Sequence, residues 1–221
     1  MNPKFDDIGA AILKGACNPD AEDLAVELGE FELGALLDDE VLKEVPVIKF
    51  VIACRKTWHA IRDQLFLRKV AGFFTGCPKF TAEEKETFVK EHLTEPKQSK
   101  KLGDALVLIL DRLDDLGKPP MLAKVFAAFV RKKIDFGTFR RLAAAIDHGT
   151  VEDLTEFVKN AQTVEGLEQK RGSQKRALYT NLAGTGLVGL PNSTGTAVMT
   201  GVAYEISDLG KLFQQCLVEQ A

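Results

Sequence analysis

The chain has 221 residues, 45% hydrophobic and 28% charged, with a net charge of −3. That balance excludes a disordered polar chain and a strongly basic nucleic-acid tail, and the length accommodates one sizeable domain or two small ones. Cys17, Cys54, Cys77 and Cys216 lack metal-ligand and redox-motif spacing, which suits a reducing compartment. No apolar run reaches the roughly 20 residues of a spanning helix. The start, MNPKFDDIGAAILKG, has early acids and no cleavage-site pattern, so a soluble, cytoplasmic protein is expected.

Residues 3–16 read as a short helix with Phe5, Ile8, Ile12 and Leu13 on one face. Asn18-Pro19-Asp20 is a turn ahead of a helix carrying Leu24, Val26 and Leu28, and Phe31, Leu33, Leu36 and Leu37 form a further short apolar stretch. The longest helical pattern runs from Pro46 to Gly76, with Val47, Val51, Cys54, Trp58, Ile61 and Leu65 as its seam and Val70 and Phe73 extending it. This seam is expected to be buried, as the centre of a helical body.

Charge is uneven around that stretch. Residues 1–45 carry twelve acids against three lysines, whereas 46–79 carry Lys49, Arg55, Lys56, Arg62, Arg68, Lys69 and Lys79 against Asp63 alone. Either the acidic segment packs beside the basic helix, or Arg55, Lys56, Arg62, Arg68 and Lys69 form an open edge for a protein partner or a membrane surface.

Thr81-Ala82-Glu83-Glu84 is a capping box opening a helix whose face is Phe88, Val89 and Leu93, ended at Glu95-Pro96-Lys97. Leu102, Leu106, Ile109, Leu110, Leu113 and Leu116 form the next stripe, which Gly117-Lys118-Pro119-Pro120 should terminate. Leu122, Val125, Phe126, Phe129 and Val130 build another helix. Asp135 should cap a helix carrying Phe136, Phe139, Leu142 and Ile146, and Thr150 one carrying Leu154, Phe157 and Val158. No credible strand appears before about residue 165, so a helical bundle is expected over 1–165.

From 166 to 221 the pattern changes. Ser173 should open a helix to about Ala183 with Leu178 and Leu182 inward. Leu187–Leu190 and Val202–Ile206 are strand-like, and Ser207 should cap a last helix carrying Leu209, Leu212, Phe213, Cys216 and Leu217. The stretch "GLV … YEISDLG" resembles the closing half of a winged-helix domain. The resemblance implies a mainly α protein with a small winged-helix-like α+β tail. The middle, "KLGDALVLILDRLDD … LAKVFAAFVRKKIDFGTFRRLAAAID", resembles a group of bacterial proteins of no known activity. A helical body with a winged tail also occurs in anti-phage defence proteins.

Chemistry is sparse. Gly184-x-Gly186-x-x-Gly189 has the letters of a dinucleotide fingerprint, but a helix precedes it and a strand follows, the reverse of what phosphate binding needs. His59, His92 and His148 stand apart. Asp104, Asp111, Asp114 and Asp115 sit at ordinary solvated-face spacing. No enzyme activity, cofactor or metal is expected. A non-enzymatic adaptor or sensor working through a protein partner or self-association is the first expectation. A DNA-binding regulator reading through Lys170, Arg171, Lys175, Arg176, Tyr179 and Asn181 is the second, and peripheral membrane binding the third. Against DNA stands the absence of any charged residue from Ala177 to Tyr204, since phosphate neutralisation supplies much of nucleic-acid affinity.

Overall fold

A computed structural model describes residues 5–16, 61–160, 173–189 and 205–218. The elements in order are α1 (Phe5–Ala16), α2 (Ile61–Gly76), α3 (Ala82–Phe88) with a π turn (Val89–Leu93), α4 (Pro96–Arg112), α5 (Lys118–Val130), α6 (Phe136–His148), α7 (Val151–Asn160), α8 (Ser173–Ala183), β1 (Val188–Gly189), β2 (Glu205–Ile206) and α9 (Asp208–Val218). The described chain is mainly helical. It divides into two compact units, Met1–Lys133 and Ile134–Ala221. The readings for residues 17–60, including the first half of the Pro46–Gly76 stretch, lie outside the described residues, as do the expected boundary near 166 and the loop between the strands.

The first unit is organised on α5. Ten of its residues are buried, because Leu122, Val125, Phe126, Phe129 and Val130 combine with three alanines, Ala123, Ala127 and Ala128, small enough for close neighbours. Phe126 is the hub. Its ring lies 5.5 Å from Phe73 of α2, 5.7 Å from Phe88 of α3 and 6.2 Å from Phe129, each edge-on, the arrangement ring quadrupoles favour. On the α2 side a Cβ at Gly76 would fall 2.5 Å from the Pro120 backbone, so only glycine permits this approach. A similar constraint joins α1 to α4, where a Cβ at Gly9 would fall 2.4 Å from the Gly103 backbone.

Local signals are realised where they close within one turn. The Thr81 hydroxyl accepts the Glu84 N–H at 3.2 Å and Glu84 Oε2 accepts the Thr81 N–H at 2.8 Å. The other oxygen of Glu84 accepts from Arg131 Nε at 3.1 Å, and that guanidinium lies over the Phe80 ring. The capping box thus ties α3 to the end of α5. Asp135 caps α6 by accepting the Thr138 N–H at 2.6 Å, which holds its carboxyl below the usual carboxylate range.

Three expected apolar positions turn out differently. Leu65 is 42% exposed, because the aromatic residues Phe66, Phe73 and Phe74 set the buried face of α2. Val89 is 43% exposed because it keeps α-helical backbone angles one residue past the buried Phe88, and that single helical step turns it away from the face Phe88 occupies. Leu116 is exposed because α4 already stops at Arg112; Asp115 Oδ1 then accepts the Gly117 N–H at 2.6 Å and turns the chain. Pro119 and Pro120 open α5, where their missing N–H groups cost nothing, rather than only closing α4.

In the second unit α7 packs on α8 and α9, α9 also meets α6, and the two strands pair antiparallel with Val188 opposite Ile206 and Gly189 opposite Glu205. Leu154, Phe157, Leu178, Leu182, Leu209, Phe213 and Leu217 supply the core. The Gln214 amide, also buried, donates to the Phe157 carbonyl at 3.0 Å and fixes α9 against α7. Phe126→Ala should lower stability by about 3–5 kcal/mol through a cavity shared by three helices. The loss should be read in urea unfolding, with the first unit's amide resonances affected and those of Leu209–Leu217 retained.

Candidate functional site

The candidate surface is the outer side of α8, and its geometry follows from how the helix ends. Leu178 and Leu182 are buried, Tyr179 is half-buried, and Ala177, Thr180, Asn181, Ala183 and Gly184 are exposed. Tyr179's burial pushes its phenol above the ordinary value, so it stays protonated at neutral pH. After α8 the chain turns through Gly184-Thr185-Gly186. The buried Thr185 hydroxyl donates to the Leu182 carbonyl at 2.7 Å, and Gly186 takes φ +79°, a left-handed conformation that favours glycine. The glycines that spell a dinucleotide fingerprint thus join a helix to a following strand, as their order implied, and Gly186 has a local conformational role.

Ser207 locks this corner. Its N–H donates to the Leu187 carbonyl at 3.0 Å, and its hydroxyl lies 2.7 Å from the Gly186 carbonyl oxygen and 3.0 Å from that of Leu187. The same oxygen accepts the Gly210 N–H at 3.0 Å, making Ser207 the cap of α9. A Cβ at Gly210 would fall 2.1 Å from the Leu187 carbonyl oxygen. The Ser and Gly of "YEISDLG" therefore have a packing reason: one bonds the β1 backbone and the other lets α9 touch it. Among the described residues, a Cβ at Gly184 or Gly189 would meet nothing within 4 Å.

The expected nucleic-acid contacts divide. Lys170 and Arg171 lie outside the described residues, and Lys175 and Arg176 fall in the first turn of α8. Asn181 donates to Asp153 Oδ2 of α7 at 3.1 Å, which brings a carboxylate to the exposed side of α8. No spacing pattern pairs the two residues, which stand 28 positions apart.

The basic edge of the first unit also divides. Arg55 and Lys56 lie outside the described residues, Arg62 is on α2, and Arg68 is exposed. Lys69 donates to the Asp111 carbonyl at 2.7 Å, in the last turn of α4 where carbonyls lack helical partners and the dipole favours a cation. Beside it, the buried Lys118 is held by Asp114 Oδ1 at 2.5 Å, and that hydrogen bond lowers the Asp114 pKa. Lys118 carried no sequence signal, since its neighbours read as a helix stop. Of the aspartates considered for a cation, Asp114 and Asp115 thus serve Lys118 and the Gly117 N–H. Among the described residues no three metal-ligating side chains converge, and no helix is long and apolar enough to cross a membrane.

His92 is the other residue whose setting the sequence did not reveal. Its imidazole packs 5.1 Å from the Phe88 ring and 4.9 Å from the Phe129 ring, centroid to centroid. The Phe88-to-His92 spacing of one helical turn was the available signal.

No protein-family model, curated protein or solved structure matches the chain.

Ser207→Ala should destabilise the second unit by about 1–2 kcal/mol, the usual cost of a lost helix cap. Amide exchange of Leu209–Leu217 should accelerate by about 5- to 30-fold on that energy scale, while α5 amides keep their wild-type rates.

Proposed function

We propose that the chain is a non-enzymatic cytoplasmic adaptor or sensor that meets a protein partner through the exposed side of α8. The observation that carries this reading is the composition of that side. Ala177, Thr180, Asn181, Ala183 and Gly184 are exposed, small and uncharged, and the carboxylate beside them belongs to Asp153. Depletion of charge at the centre suits a protein interface. A duplex would instead bring phosphates toward Asp153, where they are repelled.

A winged-helix-like reading of the second unit is supported by its order: three helices, two short antiparallel strands and a closing helix. In that arrangement α8 takes the place of the reading helix, and Lys175 and Arg176 in its first turn favour DNA as the second reading. A membrane surface is the third, resting on the basic composition of 49–69 and on exposed Arg68. A role in bacterial defence against phage rests only on the resemblance of the sequence. Altered phage plating when the chain is deleted from its native cell would support that role.

Thr180→Arg separates the first two readings because its effects have opposite signs. An added guanidinium should block a close protein partner and should strengthen binding to phosphates. The tagged full chain, purified from its native cell, should retain a discrete partner that Thr180→Arg loses by 10-fold or more while the variant still unfolds cooperatively. Duplex mobility should not shift at low salt. Salt-sensitive duplex binding, strengthened by Thr180→Arg and weakened by Lys175→Glu with Arg176→Glu, would contradict the protein reading.

A further inference from the structure

We propose that the π turn Val89–Leu93 is a proton-operated latch, in which the neutral imidazole of His92 holds the corner between α3 and α4 onto the end of α5. Three contacts meet there. The ring is seated on Phe88 and Phe129, which belong to different helices. Its Nδ1 lies 3.3 Å from the amide nitrogen of Gln98 in α4. The Glu91 carboxylate pairs with Lys132, the residue that turns the chain after α5 with φ 57°. A π turn is itself rare and is found often at functional sites, because it gives up regular helical bonding to place particular side chains.

The direction of the switch follows from the donors. An amide nitrogen only donates, so the Gln98 contact requires an unprotonated Nδ1, and hence the tautomer with its proton on Nε2. A proton taken from water makes Nδ1 a donor facing a donor, and that contact is lost unless the Gln98 amide turns over. The groups acting on the ring are few. Glu91, on its own turn, favours the charged form, but its carboxylate already serves Lys132. Burial against the two phenylalanines opposes the charge most, and Lys132 opposes it as well. From α4 the facing group is the neutral Gln98 amide.

Burial therefore lowers the His92 pKa below its ordinary value of 6.5. For a group shifted this way the stabilising contribution is fully present above the unfolded-state pKa. It is lost as pH falls through the folded-state pKa, which places the switch on the acid side of neutrality. Release of the imidazole uncovers the edges of Phe88 and Phe129, buried beneath it.

Nuclear magnetic resonance of the full chain across mildly acidic pH tests the latch. His92 should titrate below the ordinary histidine value, and the amides of Val89–Gln98 and Phe129–Lys132 should shift with it. In His92→Phe, which keeps a ring and loses the proton, those amides should stay still. Gln98→Leu retains the imidazole but removes the contact to its neutral form, so it should raise the His92 pKa. The proposal is overturned if the amides do not follow His92 in the wild type, or if they follow the same curve in His92→Phe. An unchanged His92 pKa in Gln98→Leu would overturn it as well, and that variant decides the matter if His92→Phe does not fold.

Discussion

The contact between Leu187 and Ser207 is the constraint on which the second unit depends. One carbonyl oxygen, that of Leu187, receives the Ser207 N–H at 3.0 Å and lies 3.0 Å from its hydroxyl, while Gly210 leaves room for it. This single junction starts the strand pairing and opens α9. It lies just past the end of α8, where the Thr185 hydroxyl and the left-handed Gly186 turn the chain. Within the described residues the corner is held by one hydroxyl that caps a helix and bonds a turn.

The first unit solves the same problem with rings. Phe126 touches aromatic neighbours on α2 and α3, so a single side chain of α5 closes three helices together. The polar ties around it are peripheral. Glu84 with Arg131, Glu91 with Lys132, and Lys118 with Asp114 all sit where helices begin or end. Each serves an orphan backbone group or a charge near the surface, the places where helices need side chains most. Lys69 shows the consequence for function. It reads as part of an open basic edge, yet its ammonium completes the end of α4.

Much of this was legible in the sequence wherever cause and effect lie within one turn. Thr81 with Glu84, Asp135, Thr150 and Ser207 each announce a cap three residues ahead, and all four accept the expected N–H. The stripe of α5 was legible because five large apolar residues share one face. What was not legible depends on other segments or on where a helix turns and stops. Leu65, Val89 and Leu116 each looked apolar and inward, but a cluster of phenylalanines, the helical step past Phe88 and an early stop leave them exposed. The pairing of Asn181 with Asp153 and the seating of His92 on Phe129 join distant residues, and no spacing rule reaches that far.

At the candidate surface, the helix that the sequence offers for DNA contact and the exposed side of α8 are the same element. Ala177, Thr180, Asn181, Ala183 and Gly184 are exposed, small and neutral, and Asn181 donates to the Asp153 carboxylate. The most direct test is to place a photo-crosslinking amino acid at Thr180 in the full chain and irradiate its native cell. Adducts to one polypeptide, absent when the probe is moved to exposed Arg141 on α6, are the predicted result. Adducts to nucleic acid, or the same adducts from both positions, would contradict the account.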